Sequence, residues 1–263
     1  MAPPRLYDDL AWLWPHLSPP EHYVAEAALL NQLIDERLGP GPRRILELGA
    51  GGGHTLVHLS AQGDRGGIHH CVAADLSEPM LANCRALIPG IETVAGDMRD
   101  LRLGQTFDVV LVHDAIDYLL TPGDVMKTLA TVHEHLVPGG LAFIAPTYTH
   151  ETFVDGEVAD DGTTTPGNQD TNAADLTYFT YVHDPDPADD TFEMILLYLI
   201  RDTQTRQVET VEDRHTLGLF QHGAWLQMID DAGFASEYVE QGEEDGEGES
   251  AWALFVGMKP KNV

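Results

Sequence analysis

Three acids each follow a short apolar run. Glu47 stands two residues before Gly49-Ala50-Gly51-Gly52-Gly53, Asp75 closes Val72-Ala73-Ala74, and Asp97 follows Val94-Ala95-Gly96. Runs of this length and composition read as buried strands, so the three carboxylates are expected at one edge of a sheet. The glycines after Glu47 would let a ligand press against bare backbone. They remove the Cβ that blocks approach, tolerate positive φ, and leave the first N–H groups of a following helix pointing into the crevice. A nucleotide-like cofactor is the expected occupant.

The residues around the glycines narrow the choice. A dinucleotide fingerprint requires glycine where His54 stands, and a phosphate loop ends in Gly-Lys-Ser/Thr, which is absent. A carboxylate at Glu47 would repel a pyrophosphate but attract an ammonium or a sulfonium. S-adenosylmethionine therefore fits better than NAD. Asp75 lies 22 positions after Gly53 and could accept both ribose hydroxyls. It could instead cap the next helix, a task that Ser77, two residues before Pro79, suits better. Asp97 could accept from an adenine amino group, with Met98 offering apolar surface and a backbone N–H.

His113-Asp114-Ala115-Ile116-Asp117-Tyr118 leaves a fourth strand on the same side, and the acceptor's partners are expected there. Asp114 and Asp117 could hold a cationic amine and accept its proton, although Asp117 serves equally well as a helix cap. His113 is a base or, preferably, a lining residue, and His215 is the other candidate base. Tyr118 and the tyrosine of Thr147-Tyr148 are expected at the acceptor. A metal is not expected. His54 and His58 lack a third ligand, and His133-Glu134-His135 has Val137 where a zincin has its second histidine.

Strands are expected at 43–48, 71–74, 91–95, 107–112 and 141–145, alternating with helices over 53–62, 79–87 and 122–136; Pro138-Gly139-Gly140 forms a turn. Residues 5–38 read as helical with a break at Ser18-Pro19-Pro20. Val24, Ala27, Leu30, Ile34 and Leu38 form one stripe at helical spacing. The Asp-, Thr- and Gly-rich stretch 151–175 is either disordered or a mobile cover. Three β-like runs, 177–182, 191–200 and 207–214, then suggest an inserted antiparallel platform. A helix over 224–232 and strands near 236–240 and 251–258 follow, with an acidic turn over 243–249 between the strands. The expected organisation is a helical cap over 1–40, a core of 41–149 and 216–263, and an inserted lid and platform over 150–215.

The chain has 263 residues, a formal net charge of -29, and lysine only at Lys127, Lys259 and Lys261. Nucleic acid is a poor partner for such a field, and acid spread along the whole chain points to a solvated surface of the kind found in salt-loving organisms. Cys71 and Cys84 are expected to be reduced packing residues. No run approaches the roughly 18 apolar residues of a membrane span, and Asp8 and Asp9 stand where a signal peptide would be apolar. A cytoplasmic protein with a small-molecule partner is expected, without membrane contact; a homodimer is compatible with the sequence.

The motifs resemble those of class I S-adenosylmethionine-dependent methyltransferases. Glu47 through Gly53 is similar to the family's first motif, Asp75-Leu76-Ser77-Glu78-Pro79-Met80-Leu81 to its second, and Gly96-Asp97-Met98 to its third. Phe107-Asp108-Val109-Val110 and Leu136-Val137-Pro138-Gly139-Gly140 resemble its fourth strand and the turn before its fifth. The resemblance implies an α/β fold: a Rossmann-like, seven-stranded, mostly parallel sheet with helices on both faces and its last strand antiparallel. It implies methyl transfer, with Glu47, Gly49, Ala50 and Gly51, then Asp75, Leu76 and Met80, then Gly96, Asp97, Met98 and His113 around the cofactor. Tyr7-Asp8-Asp9-Leu10, Glu21-His22-Tyr23 and the stretch from Phe192 to Phe220 resemble a small-molecule branch that includes amino-sugar N,N-dimethyltransferases. In that branch the platform covers the acceptor, and Tyr7 and Tyr23 would close over the cofactor. Where those enzymes tend to carry Ser-Ser-Ile-Gly, this chain has Asp114-Ala115-Ile116-Asp117.

Overall fold

A computed structural model describes residues 4–63, 67–164, 174–239 and 253–261. In chain order the elements are α1 (Trp14–Leu17), α2 (Val24–Leu38), β1 (Arg44–Leu48), α3 (Leu56–Leu59), β2 (His70–Asp75), α4 (Glu78–Leu87) and β3 (Glu92–Ala95). Then come β4 (Phe107–His113), α5 (Pro122–His135), β5 (Leu136–Ala145), β6 (Glu157–Thr164), β7 (Ala174–His183), β8 (Thr191–Asp202), β9 (Val208–Gly218), α6 (His222–Asp231), β10 (Ala235–Val239) and β11 (Leu254–Met258).

Seven strands form one sheet in the order β10-β11-β5-β4-β1-β2-β3. The pairs among β3, β2, β1, β4 and β5 are parallel, and β11 runs antiparallel to both β5 and β10. Alternation along the central strands builds two cores. Ile45, Ala73, Val109 and Phe143 face α2, α3 and α4, whereas Leu46, Val72, Val110 and Ile144 face α5 and α6. Each fully buried aliphatic side chain contributes roughly 1.5–3 kcal/mol through removal from water. Helix starts are written locally. The Ser77 hydroxyl accepts from the Met80 N–H at the head of α4, and Thr121 accepts from the Asp124 N–H at the head of α5, with proline in the first turn of each.

The second sheet, in the order β6-β7-β8-β9, is antiparallel throughout. Leu176, Leu196, Tyr198 and Val211 on its inner face pack against Leu6, Leu10, Leu13 and Leu17. The N-terminal segment thus lies between the platform and the main sheet.

Several expectations are corrected. Residues 5–23 form 3-10 turns around the single-turn α1, not one broken helix. Val24 is exposed, and Leu33 joins Ala27, Leu30 and Ile34 in the buried stripe. The helix after the glycines shrinks to Leu56–Leu59 because turns occupy residues 49–55. Pro138-Gly139-Gly140 lies inside β5 as an irregularity, where the partner of Phe107 is Leu136 and that of Val109 is Leu141. Residues 157–164, read as disorder or cover, are an edge strand paired to β7. An edge strand needs backbone pairing on one side only, so polar composition did not forbid it. The acidic turn over 243–249 and the stretch 165–173 lie outside the described residues. Among the described residues, no helix is long and apolar enough to cross a membrane. Cys71 and Cys84 are buried free thiols.

Candidate active site

A cavity of about 530 Å³ opens at the carboxyl ends of β1, β2, β3 and β4, within the range of small-molecule sites. Its floor is the glycine turn. Gly49, Gly51 and Gly53 all have positive φ, and a Cβ on Gly49 would lie 2.2 Å from the Ala115 Cβ. Glycine is therefore required at position 49 because the 3-10 turn Ala115–Tyr118 crosses directly over it. The turn's N–H groups do not form the open cradle expected from sequence. Those of Gly49 and Ala50 donate to the Ala74 carbonyl, and that of Gly53 to the Ala50 carbonyl. The Gly51 N–H donates to Asp75 Oδ2 at 2.8 Å. Donors spent on the protein offer little to a phosphate.

Among the described residues the cavity wall holds Asp8, Glu47, Asp75, Glu78 and Asp114 but no lysine or arginine. Glu47 is 4% exposed. Its Oε2 is buried without a hydrogen-bond partner. Burial first, then Glu26, Asp114 and Asp75, pushes its carboxyl well above the usual range. Asp75 is oriented by the Gly51 N–H and by the Ser77 N–H at 2.7 Å, and burial raises its pKa against those bonds. Leu76, Met80, Gly96 and Met98 supply apolar wall, with Leu76 exposed at the rim. The donor set fits a ligand with a cationic end and a nucleoside, which is the composition of S-adenosylmethionine; an orphaned buried carboxyl asks for positive charge.

Asp97 departs from expectation. It does not line the cavity; its carboxylate accepts from Arg99 Nε and Nη2, at 3.0 and 2.6 Å. The fork holds its pKa below the usual range. Only its neighbours Gly96 and Met98 reach the wall.

At the end of β4, Asp114 has φ 44°, a left-handed backbone rare outside glycine. Asp114 lines the cavity, and its Oδ1 accepts from the Thr147 hydroxyl at 3.1 Å. Such strain concentrates at functional sites. His113 lines the wall with Nε2 3.2 Å from Asp114 and 3.5 Å from Glu26. Burial would lower its pKa, but the two carboxylates prevail and raise it. Asp117, expected beside Asp114, is 2% exposed and outside the cavity. It accepts from the Thr147 N–H at 2.9 Å and ties the end of β5 to the 3-10 turn. Tyr148 is not among the lining residues; it stands edge-on to Phe153 and Phe192 in an apolar cluster that Tyr118 also borders.

The roof comes from the N-terminal segment. Tyr7, Trp14 and Tyr23 line the cavity, and the Tyr23 hydroxyl lies 2.7 Å from the Ser18 hydroxyl. Tyr118 donates to the Tyr7 hydroxyl at 2.9 Å, and His215 Nδ1 lies 2.6 Å from the Tyr118 hydroxyl. His215 is therefore one side chain behind the wall, not on it. Sequence reading missed Trp14, His54 and Thr55, which line the cavity, and Glu26 behind His113. The helical spacing from Glu26 to the buried Ala27 and Leu30 could have placed that acid beside the core; nothing local marks Trp14.

A methyltransferase domain model matches residues 45–140, the span from β1 into β5. Over 247 residues, 90% of this chain and 91% of the relative, the sequence is 31% identical to the dTDP-3-amino-3,4,6-trideoxy-alpha-D-glucopyranose N,N-dimethyltransferase of Streptomyces venezuelae. The chain belongs to the class I S-adenosylmethionine-dependent methyltransferases. Its fold matches the crystal structure of Streptomyces venezuelae DesVI with a TM-score of 0.74, 26% identity and 96% of both chains covered. It also matches S-adenosylmethionine-bound CalS10, an amino pentose methyltransferase from Micromonospora echinaspora, with a TM-score of 0.71, 25% identity and 90% and 91% covered. This methyltransferase uses S-adenosylmethionine on a small-molecule acceptor.

Proposed function

We propose that the acceptor is the amine nitrogen of an amino sugar, as in the names of its relatives. One observation carries the reading: Asp114, in a strained turn, lines a cavity whose wall holds, among the described residues, five acids and no lysine or arginine. That field concentrates a cationic amine and gives no comparable hold on a neutral hydroxyl.

When bound, S-adenosylmethionine supplies a methyl group on a sulfonium, an electrophile that needs only a nucleophile in line. Glu47 and the oriented Asp75 would hold its two ends. The protein's own contribution is position. Tyr7, Trp14 and Tyr23 close the roof against water, Asp114 pairs with the amine, and the Tyr7 and Tyr118 phenols stand beside it. Holding donor and acceptor in line contributes up to about 7–11 kcal/mol, and removal of the proton adds roughly 100- to 10,000-fold. The same reading makes this a cytoplasmic enzyme whose acidic surface suits concentrated salt.

The test is mass spectrometry of a panel containing thymidine diphosphate-linked amino sugars, their hydroxyl analogues and phenols. Gains of one or two methyl masses only on the amino sugars are expected. Methylated hydroxyl analogues beside untouched amino sugars would overturn the reading.

A further inference from the structure

We infer that Tyr7, Tyr118, His215 and Asp213 form a chain that takes the proton of the acceptor amine before each methyl transfer. The inference rests on the amine reading above. An attacking nitrogen must be unprotonated, and the acidic wall that attracts an ammonium also stabilises it, so methylation needs a route for the proton away from the nitrogen.

The route is continuous. Tyr7 and Tyr118 line the cavity with their hydroxyls 2.9 Å apart, His215 Nδ1 is 2.6 Å from Tyr118, and His215 Nε2 is 3.1 Å from Asp213 Oδ2. The links come from three distant parts of the chain: the N-terminal turn, the turn after β4, and β9. His215 is 2% exposed. Burial of Asp213 opposes its ionisation, but the bonds from His215 and the Leu6 N–H outweigh it and hold the carboxyl below its usual range. An ionised Asp213 only accepts, so His215 Nε2 carries a proton.

Two proton arrangements then satisfy every atom. In one, Tyr7 donates to Tyr118, Tyr118 donates to Nδ1, and the imidazole is neutral. In the other, Tyr118 donates to Tyr7. Nδ1 must then donate to Tyr118, and the ring is an imidazolium against Asp213. The second holds one more proton than the first. Before attack the substrate ammonium gives its proton to the Tyr7 oxygen, the Tyr7 proton moves to Tyr118, and the Tyr118 proton moves to Nδ1; the nitrogen keeps the electron pair that forms the bond to the methyl group, and the N-methylammonium sheds its proton the same way before a second transfer. The chain empties through the cavity mouth to water after each transfer. Other charged or titratable groups facing it are Asp114 and Asp75 toward Tyr7, Asp117 toward Tyr118, and Tyr198 and Arg5 toward Asp213. His215 and Asp213 act through the tyrosines and are positioning residues.

The test follows mono- and dimethylation of a thymidine diphosphate-linked amino sugar from pH 6 to 9 in wild type, Tyr118→Phe and Asp213→Asn. Both variants should lose turnover by about 100-fold at pH 7 and recover most of it at pH 9, where the amine deprotonates in water. Cofactor affinity by calorimetry should not change. Asp213→Asn keeps an oxygen for the Leu6 N–H, so a merely structural clasp would leave it near wild type. In the cofactor-free protein, nitrogen NMR should show no neutral His215 ring protonated at Nδ1. That tautomer, or variants whose pH profiles parallel wild type, would overturn the chain and leave the amine reading standing. A wild type that binds S-adenosylmethionine but methylates no amine would overturn the amine reading, and the proton's source with it.

Discussion

The floor and the roof of the cavity are built in opposite ways. The floor is assembled from strand ends adjacent in the sheet, and each contributes a short local motif: Glu47 to Gly53 on β1, Asp75 to Met80 on β2, Gly96 to Met98 on β3. Its turns are pinned by backbone bonds to Ala74 and Asp75. The roof joins Tyr7, Tyr118 and His215, separated by 111 and 97 residues, through side-chain hydroxyls and one imidazole. A rigid floor suits a cofactor common to a family, whereas a roof made of long-range contacts can vary with the acceptor. Floor and roof substitutions should therefore fail differently.

Gly49→Ala should have the largest effect. The new Cβ meets Ala115 at 2.2 Å on a backbone with φ 75°. A destabilisation of about 3 kcal/mol is expected by denaturant titration, with cofactor binding lost in calorimetry. Asp114→Asn comes next and acts on the acceptor side of the wall. Asparagine tolerates positive φ, so the fold should persist, while turnover falls about 10- to 100-fold at unchanged cofactor affinity.

Glu47→Gln tests the electrostatics of the floor. The folded protein holds the Glu47 proton to higher pH than the unfolded chain does, because burial raises its pKa above the ordinary 4.5. The native state therefore binds more protons in that window, and Glu47 makes stability fall as pH rises through it. The variant should melt higher than wild type near pH 7.5, the difference should vanish near pH 4, and cofactor affinity should drop. Asp97→Ala should matter least. If its work is the Arg99 fork, cofactor affinity changes less than about threefold, since exposed pairs contribute about 0–1 kcal/mol; a tenfold loss would return Asp97 to the adenine.

The same division explains what could be read in the sequence. Strand ends gather contiguous residues, so the places of the glycine turn, Asp75 and Met98 on the cavity wall are legible, as are the parallel sheet and the capped start of α4. Sequence does not show that Arg99, two residues on, takes the Asp97 carboxylate in a fork. Asp114 and Asp117 look equivalent in sequence, yet the turn at φ 44° sends one into the cavity and folds the other under it. Nothing local tells that Tyr148, three residues past β5, packs on Phe153 and Phe192. The edge strand β6 had no apolar alternation to announce it. The partnership of His215 with Tyr118 had no local signature, because only the packing of the platform on the N-terminal segment creates it.

Calorimetric titration of the purified protein with S-adenosylmethionine, and separately with NADH, tests the acid-walled floor most directly. One molecule of S-adenosylmethionine per chain with measurable heat, and none for NADH, is expected. Saturable binding of NADH beside silence toward S-adenosylmethionine would contradict it.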